Sequence, residues 1–117
     1  MYAERHVVPV TTDGAQAATE YSPSFTGRIH SITYLKTDFT DGVDFTITLE
    51  ATGESLWTDT NINASETVYP VQKANLGGTG AASTILEQPF VAVKDRVKIV
   101  IAAGGAAKIG TFHIVAG

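Results

Sequence analysis

The sequence predicts an all-β fold: a single-domain β-sandwich, jelly-roll-like, with about seven or eight strands. Three observations predict it. Apolar residues alternate with polar ones at period two, the spacing of a strand with one buried face. Turn dipeptides separate these runs at short intervals. Over three helical turns, no stretch offers apolar residues at i, i+3, i+4 and i+7. The 117 residues bound the chain to one domain, with 44% apolar residues to build a core and only 17% charged.

The clearest strand is "VDFTITLE", with Val43, Phe45, Ile47 and Leu49 on one face and Asp44, Thr46, Thr48 and Glu50 on the other. "RVKIVIA" repeats the pattern, placing Val97, Ile99 and Ile101 inward and Lys98 outward. "TFHIVAG" adds Phe112 and Ile114, and "GRIHSITYLKT" is strand-like through its β-branched and aromatic residues. "RHVVPV" reads as a short edge strand, because Pro9 has no N–H to give to a ladder. Asp13-Gly14 and Asp41-Gly42 are hairpin signals, and Gly104-Gly105 predicts a C-terminal hairpin over residues 95–116. Residues 71–88 read as a long flexible loop or arm, with one short strand just before it around Thr67 to Tyr69. The nearest helix candidate, "GAASTILEQ", is too short to support one.

Motifs of chemistry are sparse. Asp38, Asp41 and Asp44 sit within seven residues, but lack the alternate-residue order and terminal bidentate Glu of a Ca²⁺ loop. Asp41-Gly42 reads as a turn, Asp38 as its cap and Asp44 as the first outward strand residue. "GGTG" at 77–80 has no Lys and no helix after it, unlike a phosphate-binding loop. His6, His30 and His113 show no paired ligand spacing. With no cysteine and no G-x-S-x-G elbow, no nucleophile is visible. Trp57 reads as a core or sheet-edge anchor, with a stacking platform for a carbohydrate or partner as the alternative. The expectation is therefore a non-enzyme with no metal and no cofactor. Net charge is −4 without a Lys/Arg run, which argues against nucleic acid. No apolar run approaches a membrane span, and the N-terminus does not read as a signal peptide.

Several segments together resemble a known family. The opening "TTDGAQAAT", the strand "GRIHSITYLK", the block "DFTDGVDFTITLEATGESLWT" and the ending "RVKIVIA…G…GTFHIV" are similar to small structural proteins of tailed bacteriophages and prophages, encoded among head and tail morphogenesis genes. The resemblance covers nearly the whole chain except Val71 to Glu87. It implies a virion component and no chemistry. The reading that follows is a capsid decoration (cement) protein on the capsid exterior, made in the host bacterial cytoplasm. Its partners would be the major capsid protein and itself, as a homo-oligomer, a trimer ahead of a dimer, with no membrane or nucleic acid bound. A neck, head–tail connector or tail protein is the alternative, and a carbohydrate- or host-binding module the second. The interface expected for the decoration role comprises Tyr2, Val7, Val8, Trp57, Val71, Leu76 and Leu86, with residues 2–10 adding as a strand to a neighbour's sheet.

Overall fold

The computed structural model describes residues 3–75 and 80–117, with the side chains of 75 and 83–86 left aside. Among the described residues every regular element is a strand. They are β1 (Glu4–Thr11), β2 (Ala18–Tyr21), β3 (Phe25–Lys36), β4 (Val43–Leu49), β5 (Ser55–Ile62), β6 (Glu66–Val68), β7 (Val71–Asn75), β8 (Ala82–Pro89), β9 (Val91–Asp95), β10 (Val97–Ala102) and β11 (Ile109–Ala116). One sheet runs β1-β11-β3-β6 and the other β2-β10-β4-β5, all antiparallel. Setting β7, β8 and β9 aside leaves eight strands in the order 1-8-3-6 against 2-7-4-5, which is the jelly roll.

The alternation read from the sequence becomes the core. Val43, Phe45, Ile47 and Leu49 of β4, and Val97, Ile99 and Ile101 of β10, are buried, and they face Ile32 and Tyr34 of β3 and Phe112 and Ile114 of β11. Phe45 joins the sheets at the centre. Its ring meets Tyr34 at 4.7 Å and Phe112 at 5.1 Å, both edge-on, across the sandwich, and Trp57 at 5.2 Å from its own sheet.

The three turn signals mark real turns, but none of them makes a hairpin. Asp13-Gly14 links β1 to β2, Asp41-Gly42 links β3 to β4, and Gly104-Gly105 links β10 to β11, and in each case the two strands lie in opposite sheets. The C-terminal hairpin expected over 95–116 is thus an arch: β10 pairs β2 and β4, while β11 pairs β1 and β3. The physical reason is that both strands are amphipathic, and an arch lets each turn its apolar face to the same core. The arches are tied by side chains. Asp13 Oδ1 accepts the Ala15 and Ala17 amides at 2.8 and 3.1 Å. Buried Thr12 donates to Gly105 O and accepts Lys108 N–H at 2.8 Å, joining the first arch to the last. Within the two sheets of the sandwich, β4–β5 is a hairpin, closed by Gly53 N–H to Leu49 O at 2.8 Å, with Gly53 at φ +74°.

β1 is the edge strand expected, eight residues long and paired only to β11 within its sheet. At the opposite edge, β6 pairs residues 32–34 of β3 and β9 pairs residues 25–28. Between these two the chain leaves the sandwich as the hairpin β7–β8, in which Val71 faces Pro89 and Lys73 faces Glu87. Within the stretch read as a loop or arm, residues 71–75 and 82–88 are strand, the latter including most of the weak helix candidate.

Candidate interaction surface

The three aspartates of the 37–44 stretch are drawn apart by the fold. Asp38 Oδ1 accepts the Ile109 amide, Asp41 pairs with Lys36 Nζ, and Asp44 Oδ1 accepts the Asn61 amide at 3.0 Å. Each carboxylate holds a strand end or a neighbouring loop. The histidines are likewise dispersed. His6 stacks on Phe25 at 5.0 Å, His30 Nε2 lies 2.8 Å from Gly117 O, and His113 Nδ1 accepts from Arg5 Nη1 at 3.3 Å. Among the described residues, no three His, Asp or Glu side chains converge as a metal site would require.

A two-pronged ion pair lies on the outside of the second sheet. Arg96 grips Glu50 through two hydrogen bonds of 2.8 Å and lies over the Tyr21 ring, 3.9 Å from its centre. The Arg96 hydrogen bond holds the Glu50 carboxyl below its usual range.

Tyr34 is the buried titratable group of the core. It is inaccessible to solvent and its hydroxyl has no hydrogen-bond partner. Burial, helped by the charges of Asp41 and Asp38, pushes its pKa from 10.0 up to about 12. An orphaned buried hydroxyl costs about 1–3 kcal/mol, so Tyr34→Phe should stabilise the protein at neutral pH by about 1 kcal/mol. The folded state keeps the Tyr34 proton between pH 10 and 12 while the unfolded chain loses it. Stability is therefore full below pH 10 and falls as pH rises to 12, by about 3 kcal/mol from this group. Urea unfolding of both proteins at pH 8 and pH 11.5 should show Tyr34→Phe flattening that alkaline loss. A parallel decline in both would show that Tyr34 does not carry it.

Two shallow hollows mark the surface. One lies between β5 and β6 and is lined by residues 59–66; the other lies beside His6, Phe25 and Gly117. Neither gathers a catalytic set.

What the surface does offer is exposed apolar side chains at the root of the projecting hairpin. Tyr69 is 71% exposed and Val93 70%, with Val71 and Val91 about half exposed. Buried Pro70 and Phe90 flank the hairpin on the sandwich side, and Phe90 O accepts the Ile29 amide at 3.0 Å, so its root is fixed to β3. Lys73 and Glu87 pair across the strands at 3.6 Å.

The residues expected at an interface divide accordingly. Val71 lies at the hairpin root and Val7 on the outer face of β1, both about half exposed. Val8 and Trp57 are corrected: both are core residues, because the period-two phase of β1 turns Val8 inward and Trp57 packs edge-on against Phe45. Tyr2 and Leu76 lie outside the described residues, as does the side chain of Leu86. Sequence reading missed Tyr69, Val91 and Val93; the signal available was their position beside Pro70 and Phe90, where the chain enters and leaves the projection.

No protein-family model and no curated protein matches the chain. Among solved structures, a crystal structure of FlhE resembles it with a TM-score of 0.44 and 9% identity, covering 97% of this chain and 96% of that one. A likeness of that size carries no inference about function.

Proposed function

We propose that this chain is a bacteriophage virion structural protein of the decoration type, bound to the major capsid protein on the capsid exterior. One observation carries the reading: a complete eight-strand jelly roll projects an extra hairpin, β7–β8, whose root exposes Tyr69, Val71, Val91 and Val93. A projection of paired strands contributes little to the core of its own domain and reaches surfaces beyond it. On a lattice, weak contacts of this kind become effective by repetition, since each bound copy holds its neighbours at high effective concentration. The resemblance of the flanking segments to phage structural proteins supports the same reading.

The test is removal of the projection. Val71 and Pro89 are paired neighbours, so residues 71–89 can be replaced by Gly-Gly without stretching the chain. The shortened protein should fold, with a thermal midpoint within a few degrees of the parent. It should bind purified shells of the encoding phage at least about tenfold more weakly, the loss of one good hot spot. Undiminished binding would remove the hairpin from the interface. Gel densitometry of virions separates shell from neck, because a decoration protein follows the major capsid protein in abundance and a ring protein does not.

A further inference from the structure

The outer face of the β1-β11-β3-β6 sheet has a composition that the virion reading does not use. Its outward positions on three adjacent strands include Val7 and Pro9 of β1, Ile109 and Val115 of β11 and Leu35 of β3, set among the polar Thr11, Thr33, Thr111 and His113. Val7 is 51% exposed, Ile109 44% and Leu35 42%, and register places them in adjoining rows: Pro9 faces Thr111, which faces Leu35, and Thr11 faces Ile109. In a chain of net charge −4, β3 and β11 contain no Asp or Glu. This face mixes exposed apolar side chains with uncharged polar ones, and its two central strands carry no acid.

Charge is segregated along the strip. At the end where β1 begins and β11 finishes, Arg5 and Arg28 outnumber Glu4, and Arg5 donates to His113. At the other end, Asp13, Asp38 and Asp41 of the arches outnumber Lys36 and Lys108. Arg5 and Asp13 lie four residues either side of Pro9. A twofold axis through the sheet near Pro9 and Thr111 therefore brings the basic end of one copy over the acidic end of the other, and the row of Val7 over the row of Ile109.

We propose that two copies of this chain pack through this face as an antiparallel twofold dimer. The occupant of the strip is a second copy, because the face is its own complement in both charge and apolarity. A threefold ring, expected from the decoration reading, would set the strip against a different surface and leave that match unused. Sheets packed face to face keep their strands nearly aligned, which suits two copies of one sheet. Three strands about 4.8 Å apart, with eight residues rising about 3.3 Å each, cover roughly 400 Å² on each copy. The pair then buries about 800 Å², below the range of standard specific interfaces, so the dimer is weak and reversible. The inference does not rest on the virion reading.

Sedimentation of the full chain from about 5 to about 500 µM spans the micromolar Kd expected of such an interface. The expected species are monomer and dimer, 12.3 kDa and twice that, with the dimer weakened severalfold at high salt. Leu35→Ser/Ile109→Ser should raise Kd at least about tenfold with the fold intact, since both side chains are exposed. Because the chain has no cysteine, Thr111→Cys offers a second measurement: a short bis-maleimide should link it into a covalent dimer, and should not link Thr46→Cys on the outside of the other sheet. A monomer throughout the range, a trimer, or a dimer untouched by the double substitution would each overturn the proposal.

Discussion

Phe45→Ala should lower stability by about 3–5 kcal/mol, the largest effect of any single truncation in this core. Phe45 is 1% exposed and stands where the two sheets meet. Its ring is edge-on to Tyr34 at 73°, to Phe112 at 77° and to Trp57 at 81°. These rings come from β3, β11 and β5, so the cavity left by alanine borders both sheets and cannot close by a shift of one strand. Each aromatic pair adds about 0.5–1.5 kcal/mol beyond buried area, and the pairs share one ring, so their losses do not simply add. A domain of this size has about 5–15 kcal/mol in total, which leaves the variant near the edge of folding at 37 °C. Urea unfolding should show the midpoint falling with the slope unchanged, and Phe45→Leu should recover more than half of the loss. A loss below about 1 kcal/mol would place Phe45 outside the set of residues that join the sheets.

Gly110→Ala should cost about 2–3 kcal/mol, although alanine is normally tolerated in a strand. Gly110 is a buried residue of β11 beneath Phe39. A Cβ there would lie 2.7 Å from Phe39 Cδ2 and 2.9 Å from Cζ, inside contact distance for the whole edge of the ring. Phe39 has little room to retreat. It is 2% exposed, stacked on Tyr34 at 6.0 Å and set above Gly104. The clash is therefore passed to the 37–42 arch, whose Asp38 caps Ile109. Phe39→Leu in the Gly110→Ala background should recover part of the loss, and that coupling in a double-mutant cycle identifies the ring as the cause. Independent, additive losses would assign the cost to the backbone instead. The acidic stretch thus has a structural role: it carries Phe39 over the end of the sandwich.

Much of this architecture was readable from local pattern. Alternation in β4, β10 and β11 named the inward residues, and Pro9 marked an edge, because the two-residue period and a missing N–H act within one strand. The turn dipeptides located the arches, yet could not say which sheet the next strand would join. That choice depends on where each strand's apolar face is buried, and an amphipathic strand after Gly104-Gly105 fits either a hairpin or an arch. Trp57 reads from sequence as a core or sheet-edge anchor and is a core residue, but alternation gave no phase to exclude it from an interface, because β5 is irregular, with its register to β4 shifting twice.

The candidate surfaces divide along the same line. The sequence by itself determined an all-β sandwich of one domain, its core faces, and the absence of any local catalytic or ligand-spacing motif. Only the tertiary structure decided that residues 71–75 and 82–89 pair into a projection, that Tyr69 and Val93 meet solvent at its root, and that Val7, Leu35 and Ile109 join in one strip. Those residues are far apart in the chain, and their neighbourhood is created by strand order and register. Short-range pattern reports which side of a strand is buried; which strands lie side by side is settled by the joint packing of both sheets.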